Sequence, residues 1–133
     1  MIELQVSSQR HTEFLAVTSE VQRVVTAQGW SDGVLTLFVP HTTAAVTIQE
    51  NADPDVVRDM LYALEKAVPW KDPHYHHGEG NTAAHVKAAM LGTSAQCLVA
   101  AGKLRLGTWQ GIFFCEFDGP RSRRLWLDFS RMH

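Results

Sequence analysis

Cysteine is scarce. The chain of 133 residues has two, Cys97 and Cys115, each inside an apolar run where a free thiol acts as a small hydrophobe rather than as half of a staple. Charge of one sign is also lacking. Twelve Lys and Arg stand against fourteen Asp and Glu, for a formal charge of −2, and the cations form no long run, which excludes the electrostatic footprint of a nucleic-acid binder. No apolar stretch approaches the roughly 20 residues of a membrane helix, and no charged-then-apolar leader is seen. The expectation is a cytoplasmic protein with neither nucleic acid nor membrane as a partner. Absent too are a P-loop, an Asp-rich magnesium motif and the His-Glu-x-x-His pattern. What remains is a single domain, 1–133, long enough to bury a core of its own.

The apolar residues that are present alternate or recur with clear periods. Ile2, Leu4 and Val6 alternate with polar positions, and "HTEFLAVT" follows closely enough to pair with that strand. A short helix is predicted from Ser19, with a Ser19-x-x-Gln22 capping box, a stripe of Val21, Val24 and Val25, and Gly29 as its stop. Strands at "GVLTLFVPH" and "TAAVTIQE" follow, separated by Pro40. Asp53 and Pro54 then cap a second helix with Val57, Met60, Leu61 and Leu64 on one face, ending before Pro69. A third runs from Asn81 or Thr82 to Leu91, with Gly92 as its stop. Two hairpins are expected after it, one turning near Ala101-Gly102 and one at Asp118-Gly119-Pro120. Helices and strands are segregated rather than alternating, which predicts an α+β fold with a mainly antiparallel sheet or sandwich.

Reading each strand with a period of two shows which polar group shares an apolar face. Leu35, Leu37 and Val39 lead to His41; Ala44, Val46 and Ile48 lead to Glu50; Ile112 and Phe114 lead to Glu116 and Asp118; Leu125, Leu127 and Phe129 share a face with Arg123. An unpaired buried charge costs several kcal/mol, so a common polar pocket at the strand ends accounts for all four with one assumption. A simple pairing of Arg123 with Glu116 in a hairpin is the plainer alternative. The stretch "HYHHGEGNTAAH", residues 74 to 85, belongs to the same problem, since it holds four of the seven histidines. His85 falls in the first helical turn, where the helix N-terminus favours a neutral, metal-competent imidazole, while backbone donors at Gly78, Gly80 and Asn81 suit an anion equally well. The His77-x7-His85 spacing matches no familiar zinc motif. Adding His41 and a carboxylate from Glu50 or Glu116 would complete a mixed nitrogen and oxygen set for zinc or a related divalent ion. His74 and His76 read as solvated bystanders.

Three segments, "PHTTAAVTIQENADPDV", "HHGEGNTAAHVKAAMLG" and "GKLRLGTWQGIFFCEFDGPRSRR", occur in this order. Together they resemble the successive signatures of the YjbQ family, also called UPF0047, over about residues 2 to 129. Members of that family are commonly described as secondary thiamine-phosphate synthases. The resemblance implies a two-sheet α+β sandwich with two helices per subunit, assembled as a homotrimer. It also implies a pocket of His41, Glu50 and Asn51, then His77, Glu79, Asn81 and His85, then Trp109, Gln110, Glu116, Asp118 and Arg121. His77 rather than His76 fills the family position because it directly precedes Gly-Glu-Gly-Asn.

The expected activity joins a pyrimidine carrying a pyrophosphate to a thiazole phosphate. Such chemistry needs cationic or metal clamping of the leaving group and a polar surface for the electron-poor methylene. His41, His77 and His85 are the expected ligands of a divalent metal ion, zinc or magnesium. Arg121, Arg123 and Arg124 would hold phosphate, and Glu116, Asp118 or Glu50 would act as acid, base or cation stabiliser. Asn51, Glu79, Asn81 and Gln110 complete the substrate contacts, and Trp109 reads either as a stacking surface or as an interface anchor. Two other classes fit the same residues: a metal-assisted hydrolase of a phosphorylated small molecule, and a metal- or anion-binding trimer without turnover.

Overall fold

Residues 1–132 are described by a computed structural model. In chain order they form β1 (Ile2–Ser7), β2 (Glu13–Ala16), α1 (Thr18–Gln28), β3 (Gly33–Phe38), β4 (Ala44–Glu50), α2 (Pro54–Ala67), α3 (Thr82–Leu91), β5 (Ser94–Ala100), β6 (Lys103–Leu104), β7 (Gln110–Glu116) and β8 (Ser122–Arg131). Five strands make one antiparallel sheet in the order β1-β8-β3-β5-β6, and three make a second, β2-β7-β4. The fold is α+β with two sheets, as the segregation of helices from strands predicted, and with three helices rather than the two that the family resemblance implied.

The main core lies between the sheets. Val6, Leu35, Leu37, Leu125 and Leu127 from the larger sheet meet Ala44, Val46, Ile112 and Phe114 from the smaller, and Val21 and Val25 of α1 join them. A second cluster lies behind the smaller sheet, where Ala45, Phe113, Cys115 and Phe117 are covered by Ala84 and Ala88 of α3 and by Val57 and Leu64 of α2. That makes β7 a strand buried on both faces, and six of its seven residues are buried. Its unbroken apolar run "GIFFC" follows from this, because alternation is required only where one face meets water. Burial pushes the pKa of both cysteine thiols up.

Local signals were kept where backbone chemistry alone decides them. Asp53 accepts from the Asp55 N–H at 2.9 Å at the start of α2, and Gly29 ends α1 in the left-handed region at φ 67°. Ala101 and Gly102, both at positive φ, turn β5 into β6. The expected capping box of α1 is not formed. Gln22 instead reaches across to the β5–β6 turn, donating to Gly102 O at 2.9 Å and accepting from the Leu104 N–H at 3.0 Å.

Two expected pairings are replaced by crossovers. β1 pairs with β8 and β2 with β7, so "IELQVSS" and "HTEFLAVT" lie in different sheets rather than side by side. Likewise Asp118-Gly119-Pro120 carries the chain from the smaller sheet into the larger, and β7 and β8 do not form a hairpin. Sequence proximity favours hairpins, but closing a sandwich requires strands that change sheets. The two crossovers lie against each other: Ser8 N–H donates to Arg121 O and Gly119 N–H to His11 O, each at 2.9 Å. A Cβ on Gly119 would stand 2.4 Å from Arg10 O and 2.6 Å from Ser8 Oγ, so only glycine lets them approach.

Candidate functional site

Beside this double crossover the sandwich opens into a cavity of about 680 Å³. Its walls come from the β3–β4 connection (Phe38, Val39, Pro40, His41, Thr42 and Thr43), from the loop and first turns leading into α3 (His77, Glu79, Asn81 and His85), and from the start of β5 and the β7–β8 crossover (Thr93, Asp118, Arg121 and Arg123). Residues separated by some forty positions on either side of the histidine loop are thus brought into one space.

The floor is an ion pair that spans the two sheets. Glu116 is fully buried at 0% exposure and Arg123 is 4% exposed. Arg123 donates to Glu116 Oε1 through Nε at 2.9 Å and to Oε2 through Nη2, and Nη2 also reaches Thr43 Oγ1 at 2.8 Å. Ser8 Oγ–H donates to Oε1 at 2.7 Å and the Asp118 N–H to Oε2 at 2.9 Å. Burial pushes the Glu116 carboxyl up, but hydrogen bonds from Arg123, the Asp118 amide and Ser8 outweigh it and hold its pKa below the ordinary value. With both oxygens occupied, Glu116 is no free acid or base and does not line the cavity. Its role is to fix Arg123, whose Nη1 has no protein partner among the described residues.

Above the floor, Arg121 is held by Asp118: Nε donates to its carbonyl at 2.6 Å and Nη2 to its Oδ2 at 2.9 Å. Asn81 Nδ2 donates to the same Oδ2 at 2.9 Å, which fixes the orientation of its amide, since a flipped amide would face oxygen with oxygen. Asn81 is 6% exposed, and its Oδ1, with Thr82 Oγ1, is buried without a hydrogen-bond partner among the described residues. His41 accepts the Arg124 N–H on Nε2 at 3.0 Å. That acceptance places the imidazole proton on Nδ1 and makes His41 a neutral donor. Burial, then the neighbouring Arg123, lowers its pKa in agreement with that state. His77 and His85 meet edge to face, with ring centroids 5.5 Å apart.

Comparison with known proteins decides the kinship of this arrangement. The family model described as "UPF0047 protein YjbQ-like" matches residues 2–132. The chain belongs to the UPF0047 (YjbQ-like) family. It is 46% identical to the UPF0047 protein YugU of Bacillus subtilis over 124 residues, covering 93% of this chain and 94% of that one. A UPF0047 protein of Methanocaldococcus jannaschii is 39% identical over 127 residues, covering 96% of this chain and 91% of the other. Among solved structures, an uncharacterized conserved protein of the family from Clostridium acetobutylicum superposes with a TM-score of 0.94 at 47% identity, covering 98% of this chain and all of that one. A conserved hypothetical protein from Thermus thermophilus gives 0.92 at 38% identity, covering 98% and 100%.

Apart from Glu116, which lies in the buried ion pair, the residues that the family resemblance implied divide into two groups in this fold. His41, His77, Glu79, Asn81, His85, Asp118 and Arg121 share the cavity. Glu50, Asn51, Trp109 and Gln110 do not line it. In the β4–β7 ladder Glu50 faces Gln110 whereas Ala44 faces Glu116, and six residues at about 3.3 Å each separate the two ends by roughly 20 Å. There the second group makes its own structure: Asn51 N–H donates to Trp109 O at 2.8 Å, Gly107 N–H donates to Gln110 Oε1 at 2.8 Å, and Trp109 is left 63% exposed. Period-two reading put Glu50 on the correct face but could not tell which end of the sheet that face exposes.

The divalent metal expected from the sequence was tested against this donor set. Among the described residues no three His, Cys, Asp or Glu side chains converge closely enough to hold an ion. His77 and His85 face each other, but the third expected ligand, His41, spends its Nε2 lone pair on the Arg124 amide. Glu116 is sealed beneath the floor, and Glu50 lies at the far end of the sheet. Two guanidinium groups in the same walls further oppose a second cation. These residues do not fit a three-ligand metal centre as folded, and no chemical step is assigned to one.

Sequence reasoning missed Ser8, Thr43 and Phe38. Thr43 was findable, because hydroxyls follow His41 directly in "PHTT". Ser8 had no local signal, since only the crossover packing brings it to Glu116.

Proposed function

We propose that the chain is an enzyme acting on a small phosphorylated substrate in this cavity, with thiamine-phosphate synthesis as the reaction. The observation that carries the reading is the collection of unspent cationic and neutral donors there. Arg121, Arg123 and His41 are each fixed through one set of contacts while part of their donor capacity remains free. Preorganised donors of this kind stabilise charge developing on a leaving group, each contributing about 3 to 4 kcal/mol at a reacting centre.

In this reaction the carbon–oxygen bond to pyrophosphate breaks and its electron pair leaves with the pyrophosphate. The thiazole nitrogen then closes on the pyrimidine methylene with its own lone pair. The guanidinium groups and His41 Nδ1–H meet the departing charge. The Asp118 carboxylate, whose Oδ1 lies 3.7 Å from His11 Nε2, supplies negative potential for the pyrimidine cation. The test is direct: purified protein is supplied with the pyrimidine pyrophosphate and the thiazole phosphate, with several divalent ions tried, and thiamine phosphate is measured. No product under any of these conditions removes the proposal.

One observation favours a second reading. Glu116 is fully engaged and Asp118 Oδ2 already accepts from two residues, so free acid–base groups are few and the cavity would suit an anion-binding protein without turnover. Arg121→Ala separates the two readings, since both predict weaker anion binding but only the enzyme has a turnover to lose. A cytoplasmic homotrimer is part of the proposal. It is supported by the two free thiols, which belong in a reducing compartment, and by exposed Leu98 and Trp109, surfaces of the kind that a second copy covers. Native mass measures the assembly.

A further inference from the structure

The cavity has one wall that phosphate chemistry does not explain. Phe38 ends β3 three residues before His41, lines the cavity, and keeps 40% of its surface in solvent. Its ring stacks on Trp126 of β8 with centroids 5.8 Å apart and planes inclined by 21°. Trp126 is itself pinned, its indole N–H donating to Glu3 Oε1 at 3.0 Å. The ladders place Phe38 opposite Trp126 and Trp126 opposite Glu3, so three side chains run in a row across the outer face of the larger sheet. Among the described residues no helix covers that face: the helix-covered cluster lies behind the smaller sheet, and α1 joins the core between the two.

An aromatic ring held at fixed inclination, half in water and beside a cavity rich in donors, has the form of a stacking platform. Rings prefer offset-stacked or edge-to-face partners, and a pre-oriented platform loses little freedom when one arrives. We infer that Phe38, backed by Trp126, seats a planar heteroaromatic ring of the cavity's ligand while the ligand's phosphate lies against Arg121 and Arg123. This deepens the phosphorylated-substrate reading and rests on it. It gives the ligand two parts, an anionic tail and a flat ring, and so disfavours sugar phosphates and free inorganic anions. It also moves the stacking role from Trp109, at the far end of the smaller sheet, to Phe38, on the face of β3 opposite Leu37.

The test titrates wild type, Phe38→Ala and Phe38→Leu with two probes, inorganic pyrophosphate and the pyrophosphate ester of 4-amino-5-hydroxymethyl-2-methylpyrimidine. Wild type is expected to bind the ring-bearing probe more tightly than pyrophosphate. Both variants are expected to lose about tenfold for the ring-bearing probe, as stacking contributions on single aromatic residues allow, while pyrophosphate affinity stays unchanged. Leucine keeps the apolar volume without the flat face, so it separates stacking from simple burial and serves if alanine fails to fold. Equal losses for both probes, no loss for either, or a changed native mass as the only effect would overturn the platform and leave the cationic clamp standing. If wild type binds neither probe, the substrate reading falls and the platform with it. Binding of the ring-bearing probe alone, weakened by both variants, would retain the platform and remove the clamp.

Discussion

Arg123 and Glu116 are seven residues apart in sequence and belong to different sheets, Arg123 to β8 of the larger and Glu116 to β7 of the smaller. Their buried ion pair therefore joins the two halves of the sandwich beneath the cavity, in place of the cross-strand pair that a hairpin would have made. Taking two charges out of water is costly, and such a pair persists only where the remaining donors and acceptors are satisfied. Ser8, Thr43 and the Asp118 amide satisfy them.

Removing one partner leaves the other buried and unpaired. Glu116→Ala is expected to cost about 3 to 5 kcal/mol, whereas Glu116→Leu combined with Arg123→Met is expected to recover most of that loss, because hydrophobic replacement of a whole buried pair is often nearly neutral. Urea denaturation of the single and double variants measures both. The double variant should nevertheless bind pyrophosphate more weakly, since its cavity has lost a guanidinium. Equal stability loss in single and double variants would show that the pair itself stabilises the fold.

The same contacts set the acid response. The folded pKa of Glu116 lies below its ordinary 4.5, so its contribution is fully present above that value and is lost as pH falls through the depressed folded value. His41 acts in a higher window. Its folded pKa lies below 6.5, so as pH falls from about 6.5 the unfolded chain takes up a proton before the native one does, and stability declines. Melting temperatures measured from pH 8 to 3 should fall in two stages. His41→Gln should flatten the upper stage alone; an unchanged upper slope in that variant would assign it to another histidine.

Much of this fold was legible because strand faces and helix caps are local properties. The run of Leu35, Leu37 and Val39, the Asp53-Pro54 start of α2 and the Gly29 stop of α1 each depend on neighbours within a few residues. Which strands pair is not local. The crossovers at Ser8 to His11 and at Asp118 to Pro120 depend on packing between segments more than 100 residues apart, so both adjacent-strand pairings went wrong together. The site divided in the same way. His41, His77, His85 and Asp118 were marked by residue type and position and Arg121 by the family resemblance, and all five share a cavity. Glu116 was found but given a catalytic role, because the alternation that puts a carboxylate on a core face does not say how many donors will meet it there.

Gly119 tests the double crossover. Gly119→Ala would push a methyl group to within 2.4 Å of Arg10 O and 2.8 Å of Glu116 Cγ, whereas a Cβ on Gly78 would meet nothing within 4 Å. Overpacking in a tight interior costs about 1 to 3 kcal/mol and sometimes more. Gly119→Ala is expected to lower the melting temperature by several degrees, and Gly78→Ala to leave it within about a degree. Comparable melting of the two variants would mean that the crossovers separate readily and do not hold Ser8 on Glu116.

The two polar groups predict opposite outcomes for two substitutions of comparable exposure. Arg121 borders the cavity and Asp118 holds it there through two hydrogen bonds, so Arg121→Ala removes a half-exposed charged donor from the anion's surroundings while Asp118 keeps its hydrogen bond from Asn81. A charge-assisted hydrogen bond contributes about 1.5 to 3 kcal/mol, which corresponds to a loss of roughly tenfold to a hundredfold in pyrophosphate affinity with little change in melting temperature. Trp109 lies roughly 20 Å away along β7 by strand geometry, and Trp109→Ala within one chain should leave that affinity unchanged. Calorimetric titration of both variants, with native mass recorded alongside, reads the outcome. Pyrophosphate binding that falls in Trp109→Ala while the assembly stays intact would place the end of β7 at the anion after all, with a neighbouring copy supplying it.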